Sequence, residues 1–242
     1  MQIKLIHLFP ELLNLSGDRG NITVLEKRCR LRGISLEVVP LPFEDAVSLR
    51  DADLVYLGNG SEKDYPRIVA KLKEAEPELL AFRERDGVLL AVGNSYPMLG
   101  TTFPVLSEEQ PGIHLMDIKT IPSDIRMTGN ASVNTPFGVL VGFENHTGIT
   151  RLGASVTPLG TVLSGFGNNS DDRTEGAMFK NIFGTYLTGP LLPNNPEFAD
   201  LLIDKAIRQK YNHFEGLSPL SSELENLAKG YLLNYDHRTH KR

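Results

Sequence analysis

Apolar strands that alternate with amphipathic helices constrain the fold of this chain more than any other feature of its sequence. Helices are predicted over Asn21–Arg32 and roughly over Asp64–Arg85. The apolar runs that flank them in the first hundred residues are Ile3–Phe9, Ile34–Val39, Asp53–Leu57 and Gly87–Val92. Near-continuous runs of Leu, Val and Ile between helices are typical of a parallel sheet covered on both faces. The pattern therefore predicts an α/β fold, in which ligands bind beyond the carboxyl ends of the strands.

The second half of the chain follows a different pattern. Residues 104–165 form short segments between Gly, Thr and Asn turns, which predicts antiparallel strands appended to the parallel sheet. A further strand is predicted over Asn181–Leu187 and a helix over Pro196–Tyr211. Because no long linker interrupts these elements, we expect one domain over residues 1–212.

The C-terminal segment, residues 213–242, is predicted to pack on that domain as a helix followed by a basic tail. Ser218 suits the N-cap and Pro219 the first position of a helix that runs to about Leu233. The tail His237–Arg242 is locally basic, and we expect it to be frayed and solvated, as chain termini commonly are.

Composition excludes several classes of function. The net charge of −5 and the dispersed basic residues predict no nucleic-acid partner. No apolar run reaches the ~18–20 residues that span a bilayer, and the N-terminus lacks the apolar core of a signal peptide. The single cysteine, Cys29, excludes a disulfide framework and a multi-cysteine zinc site, and its helical spacing places it in the core. We expect a cytoplasmic protein with no membrane span, no cofactor and no metal.

Three loops could carry chemistry, and each has a purely structural alternative. Leu13–Asn21 could bind an anion at a helix N-terminus, or form a turn capped by Asp18 or Asn21. Gly58-Asn59-Gly60-Ser61 could be an oxyanion-hole loop or a plain turn between strand and helix. Glu144 and His146, in the segment Gly142–Gly148, could act as an acid/base pair or hold the backbone of a turn.

The segment from Val88 to Gly100 is a buried strand that runs into a tight turn, Gly93-Asn94-Ser95-Tyr96-Pro97. A strand that ends in a sharp turn before a helix is the usual setting of a catalytic nucleophile. Gly93, at the start of this turn, carries no side chain.

Together these segments resemble the GatD-type small subunits of bacterial lipid II isoglutaminyl synthase, a branch of the CobB/CobQ-like class I glutamine amidotransferases. The similarity covers most of residues 5–210. The segments that carry it are Leu13–Asn21, Gly58–Ser61, the turn at Gly93, Arg126–Gly129, Gly142–Gly148, Gly165–Asn169, Glu175-Gly176 and Gly184–Pro193. The resemblance implies a three-layer, flavodoxin-like fold with a mostly parallel sheet and antiparallel additions. It also implies a subunit that hydrolyses glutamine and passes ammonia to a Mur-ligase-like (MurT-type), ATP-dependent partner, which amidates the D-glutamate of peptidoglycan.

Residues at the positions of the family's reactive groups differ from the family pattern. The nucleophilic cysteine corresponds to Gly93 and the histidine to Thr188, because this chain reads Tyr-Leu-Thr-Gly-Pro where the family reads Tyr-Leu-His-Gly-Pro. The glutamine after the turn's tyrosine corresponds to Pro97. Loss of a nucleophile that acts with its base typically lowers kcat ~10⁶-fold.

Candidate substrate contacts are retained despite those losses. Arg126 matches the family's substrate-contacting arginine, and Gly58, Asn59, Gly60 and Asn94 are the other candidate binding residues. Glutamine is the ligand that the resemblance implies.

Three functions stay open from the sequence. The first is a catalytically inactive pseudo-amidotransferase that supports a Mur-ligase-like partner in cell-wall synthesis. The second is an active amidohydrolase in which Ser95 and His146 replace the lost residues, although an unactivated serine is a weak nucleophile. The third is a stand-alone small-molecule binding module that uses Arg126 and the Gly58–Gly60 loop.

Overall fold

The computed structural model describes residues 1–239, with side chains described through residue 233. The last three residues of the predicted frayed tail, 240–242, lie outside the described residues. The strands are β1 (Gln2–Leu8), β2 (Ser35–Leu41), β3 (Leu54–Leu57), β4 (Val88–Val92), β5 (Thr102–Val105), β6 (Glu108–Pro111), β7 (Ile118–Ile121), β8 (Met127–Thr135), β9 (Gly138–His146), β10 (Ile149–Leu152), β11 (Gly160–Ser164), β12 (Thr174–Glu175), β13 (Ala177–Phe179) and β14 (Ile182–Thr185). The α-helices are α1 (Arg19–Leu31), α2 (Tyr65–Glu74), α3 (Glu76–Glu84), α4 (Pro196–Lys210) and α5 (Glu223–Thr239).

The main sheet has six strands in the order β13-β14-β4-β3-β1-β2. All neighbouring pairs are parallel except β13 with β14. Two apolar clusters cover its faces, one that includes side chains of α2 and α3 and one that includes side chains of α1 and α4. This three-layer arrangement, with the strand order typical of flavodoxin-like folds, confirms the predicted fold class.

The loops that follow β1, β3, β4 and β14 meet at one edge of the sheet because these four strands are parallel neighbours. Ligands of doubly covered parallel sheets bind at this edge. It holds Asp18, the Gly58–Gly60 loop, the turn at Gly93, and Thr188.

Two details of the predicted N-terminal half were wrong. Strand β2 continues through Pro40 to Leu41, which proline permits because β2 is an edge strand and pairs only with β1. The single helix predicted over 64–85 is two helices, α2 and α3, that meet at Ala75. Pro77 lies in the first turn of α3, since its ring nitrogen cannot donate the hydrogen bond of a continuous helix.

Most of the strands that follow β4 form two separate sheets rather than an extension of the main sheet, and their pairs are antiparallel except β5 with β7. One has the order β10-β7-β5-β6 and the other β12-β11-β8-β9. Glu144 and His146, predicted in a turn, lie in β9 and point inward, with 0% and 4% of their surfaces exposed. The alternation of buried and exposed residues along a strand, rather than a turn, brings their side chains to the same face.

The C-terminal helix begins and ends later than predicted, because α5 runs past Leu233 to Thr239 and includes the first three residues of the tail that was expected to be frayed. Ser218 and Pro219 are outside α5, whose first residue is Glu223. The carbonyl of Ser218 accepts a hydrogen bond from Arg32 Nε at 2.8 Å, and Ser222 precedes the helix as the serine of an S-x-x-E capping sequence. Helix α5 contacts β8 and β9, and buried Lys229 donates to the carbonyl of Val139 at 3.0 Å. The division at residue 212 stays a prediction.

None of the helices within residues 1–239 combines the length and the apolar composition that crossing a membrane requires.

Candidate functional site

The turn after β4 has the backbone of a nucleophile elbow. Gly93 directly follows the strand and has a φ of +61°, in the left-handed region that L side chains rarely adopt. Short 3₁₀ turns over Gly93–Ser95 and Pro97–Leu99 continue from it. A sharp, left-handed turn after a buried strand is the arrangement that exposes a catalytic side chain in enzymes with such an elbow.

Other side chains fill the space that a side chain at position 93 would need. A Cβ atom built on Gly93 would lie 2.6 Å from Asn59 Oδ1 and 2.8 Å from Thr188 Cγ2. Thr188 is held there because its Oγ1 donates to the carbonyl of Phe143 at 2.8 Å. The structure thus brings together the three positions Gly93, Thr188 and Asn59, and leaves no room between them.

The backbone amides of the candidate oxyanion hole are paired within the protein. Asn94 N–H donates to Asn59 Oδ1 at 3.0 Å, Asn59 N–H to Asp18 Oδ1 at 3.0 Å, and Gly60 N–H to the Tyr65 hydroxyl at 3.2 Å. An oxyanion hole works only if its donors point at the developing charge. Here the Asn59 carboxamide oxygen accepts the hydrogen bond of the Asn94 N–H, the donor beside Gly93. We call this arrangement the Asn59 plug.

Asp18 supports the Asn59 plug and was predicted only as a possible helix cap. It occupies the N-cap position of α1 but makes no side-chain cap bond. Its carboxylate, 1% exposed, accepts from the Tyr56 hydroxyl at 2.7 Å and from the backbone amides of Asn59 and Ser16. Burial raises the pKa of Asp18, and these hydrogen bonds oppose the shift.

The candidate replacement pair, Ser95 and His146, is engaged with other groups. Ser95 is fully buried, and its hydroxyl donates to the carbonyl of Gly58. His146 Nδ1 lies 3.0 Å from the carbonyl of Gly148, and its ring stacks on Tyr186 with a centroid separation of 3.5 Å. Burial lowers the pKa of His146 to about 4, so the imidazole is neutral at pH 7.

An open cleft of about 100 Å³ adjoins the elbow. Of the five candidate substrate-binding residues, Asn94 and Arg126 line it, whereas Gly58, Asn59 and Gly60 do not. The Arg126 guanidinium is exposed and is oriented by Asn145, whose Oδ1 accepts from Arg126 Nε at 2.9 Å. Glu62 lines the same cleft, and the sequence pattern had not indicated it.

A buried polar group lies near the cleft floor, where Tyr186 contacts His146. Glu175 Oε1 accepts from the backbone N–H of Tyr186 and from Thr185 Oγ1, both at 2.9 Å. Glu175 is fully buried, and its Oε2 has no hydrogen-bond partner. Burial raises the pKa of this carboxyl to about 8, so it holds a proton at pH 7.

The described part of the chain holds no group of three or more His, Cys, Asp or Glu side chains that could bind a metal ion.

A flavodoxin-like sheet that ends in a left-handed elbow beside a glycine loop is the arrangement expected of a glutamine amidotransferase fold. A crystal structure of a glutamine amidotransferase has this fold, with a TM-score of 0.58 and 15% identity over 83% of this chain and 98% of that chain. The sequence model of the CobB/CobQ-like glutamine amidotransferase domain matches residues 4–196. The chain belongs to that family.

Two relatives are similar over most of their length. The lipid II isoglutaminyl synthase (glutamine-hydrolyzing) subunit GatD of Staphylococcus aureus is 32% identical over 242 residues, which cover 99% of this chain and 98% of the relative. The subunit of the same name from Streptococcus pneumoniae is 31% identical over 214 residues, 87% of this chain and 82% of the relative.

Proposed function

We propose that this protein is a catalytically silent glutamine amidotransferase-family subunit of a lipid II amidation complex. Its partner in this proposal is a Mur-ligase-like, ATP-dependent subunit that amidates the D-glutamate of the peptidoglycan stem peptide with ammonia it does not obtain from this chain. The near full-length similarity to two GatD subunits supports the pathway, since both relatives are named as subunits of that synthase.

The Asn59 plug is the observation on which the proposed lack of glutaminase activity rests. The thiol and the imidazole are absent at Gly93 and Thr188, and the oxyanion donor of Asn94 is bonded to Asn59. A glutaminase needs all three groups at one point, because the thiolate attacks, the histidine transfers the proton and the amides hold the oxyanion. Their joint loss supports a site that has changed as a unit.

Helix α5 supports the role of a subunit. The matched amidotransferase domain ends at residue 196, yet the similarity to the Staphylococcus aureus subunit includes α5. Its residues Leu224 and Leu227 are 79% and 72% exposed, while Lys229 of the same helix is buried against the domain. An apolar helix face that points outward is typical of a helix that docks in a groove of a partner. The ligase-like subunit is the occupant we propose.

Co-purification tests this docking. We expect Leu224→Glu with Leu227→Glu to abolish capture of the full chain by the proposed ligase-like subunit. Asn226→Glu adds one negative charge, where the double variant adds two, at an exposed position of the same helix outside the apolar face, and we expect it to leave capture unchanged. Equal capture of both variants would contradict docking through α5.

Relocated catalysis is a weaker alternative on this geometry. The hydroxyl of Ser95 is bonded to a backbone carbonyl, and His146 is bonded to Gly148, so neither group activates the other in the observed arrangement. Glutamate release that is abolished by Ser95→Ala would establish this alternative and contradict the proposed lack of glutaminase activity.

The open cleft favours a second function, the binding of a small ligand. Such binding is compatible with a silent subunit, which would then report ligand occupancy to its partner. A chain that binds a ligand but never co-purifies with a ligase-like subunit would instead be a stand-alone binding module.

A further inference from the structure

Side chains of opposite charge line the small cleft beside the elbow. Arg126 and Glu62 both line it, and together they provide one guanidinium and one carboxylate. Glu62 is held by the backbone N–H of Leu106, which donates to Oε1 at 2.6 Å, and Arg126 is held by Asn145. Two oriented groups of opposite charge match a zwitterion, whose carboxylate would pair with Arg126 and whose ammonium would pair with Glu62.

The inner end of the cleft is closed toward the elbow. Asn94 lines the cleft, but Gly93, Asn59 and Thr188 do not. The Asn59 carboxamide accepts the hydrogen bond of Asn94 N–H, so it occupies the position where the amide oxygen of a longer ligand would bind. The Asn59 plug therefore places a carboxamide of the protein where the carboxamide of a bound glutamine would otherwise lie.

Size supports the same conclusion. An engineered cavity of about 150 Å³ holds one benzene molecule, whereas this cleft has about 100 Å³. Glycine, alanine and serine are of that size, and glutamine carries a further carboxamide arm that the plug excludes.

We infer that the cleft binds a short zwitterionic α-amino acid, of the size of glycine, alanine or serine, and rejects glutamine. The inference rests on the proposed function, because it assumes a site that no longer processes glutamine. It assigns Asn59 as the residue that sets the ligand length, Arg126 as the carboxylate contact and Glu62 as the ammonium contact.

Calorimetric titration of the full chain tests the assignment. Glycine, L-alanine, L-serine and L-glutamine are titrated in turn, with acetate and methylamine as probes that carry only one of the two charges. We expect the three short amino acids to bind at least about tenfold more tightly than acetate or methylamine, since each of these probes lacks one charged hydrogen bond worth about that factor. Glutamine carries both charges, and we expect it to bind at least about tenfold more weakly than the short amino acids because the Asn59 plug excludes its carboxamide arm. The inference would be overturned if none of the three short amino acids binds, or if glutamine binds more tightly than they do.

Variants separate the three roles. Arg126→Gln and Glu62→Gln should each weaken glycine binding at least about tenfold. The matched controls Arg208→Gln and Glu37→Gln remove the same charges outside the cleft and should leave glycine binding unchanged. Asn59→Gly, with Asn59→Ala as a second variant, should gain glutamine binding and keep glycine binding. Glycine binding that survives both cleft variants would overturn the assigned contacts.

Glutamate is assayed in the same samples, so that the two proposals fail separately. Glutamate release by the unmodified chain would overturn the proposed function. Glutamine binding that exceeds glycine binding, without glutamate release, would overturn only the ligand assignment.

Discussion

The elbow and the cleft beside it share Asn94 but differ in what fills them. At the elbow, the left-handed backbone of Gly93 is retained, while the Asn59 carboxamide and the Thr188 methyl group occupy the space for a nucleophile. The cleft is open and keeps Arg126 with its orienting partner Asn145. The difference teaches that, in this fold, the space at an elbow can be filled by internal side chains and hydrogen bonds without collapse of the adjoining cleft.

The largest effect should come from rebuilding the reactive centre. Gly93→Cys alone should give no glutamate release, because its Cβ would lie 2.6 Å from Asn59 Oδ1 and the side chain beside it is Thr188 rather than a histidine. Combination with Asn59→Gly and Thr188→His removes the plug and restores a base, and we expect glutamate release at least about 100-fold above the protein-free blank. A folded triple variant no more active than Gly93→Cys would show that the plug is not what blocks this site.

Removal of the carboxylate that supports the plug should strongly destabilise the fold. Asp18→Ala leaves the Tyr56 hydroxyl and two backbone amides without their acceptor, and buried donors cost about 1–3 kcal/mol each. We expect a loss of about 3–5 kcal/mol in the free energy of unfolding, measured by urea denaturation. A loss below about 1 kcal/mol would mean that water replaces Asp18 and that the plug needs no such support.

Glu175 should make stability fall as the pH rises. Its pKa is about 8 in the fold against an ordinary 4.5, so between these values the unfolded chain releases a proton that the folded chain keeps. Glu175→Gln removes this dependence. The free energy of unfolding of the variant, relative to that of the unmodified chain, should be higher at pH 8.5 than at pH 5 by about 2 kcal/mol or more. Denaturation of both proteins at both pH values measures this difference. The same difference at both pH values would show that Glu175 ionises normally.

The cleft rim should contribute least to stability. Arg126 is exposed, and its one described hydrogen bond reaches the exposed Asn145. Arg126→Gln should change the free energy of unfolding by less than about 0.5 kcal/mol, the usual range for surface substitutions. A loss in the free energy of unfolding comparable to that of Asp18→Ala would contradict the view that the elbow is structural and the cleft rim serves binding.

The parallel sheet could be predicted from sequence because its strands are short apolar runs buried on both faces, and their signal is local. The break at Ala75 and the start of α5 at Glu223 were not predicted, since they depend on the position of one proline and on where a serine cap is followed by a glutamate. These features were visible in the sequence, but several alternatives had similar local patterns.

That Gly93 and Thr188 replace the family's nucleophile and base stays a prediction from the resemblance, and the structure shows only that the two residues lie side by side at the elbow. The Asn59 plug could not be predicted, because it joins the loop after β3 to the loop after β4 through one side chain. Asp18 was missed as its support for the same reason. Its helix-cap position and its hydrogen bond from Ser16 N–H are local features, whereas its hydrogen bonds from Tyr56 and Asn59 depend on how neighbouring strands are paired.

Glutamate release from glutamine, measured with the unmodified full chain bound to its ligase-like partner, tests the central claim most directly. The Staphylococcus aureus GatD relative, assayed in the same way with its own partner, serves as the reference. We predict release at the level of a protein-free blank, together with amidation of lipid II when ammonium is added. Glutamate release above the blank, in proportion to the amount of this chain, would contradict the account.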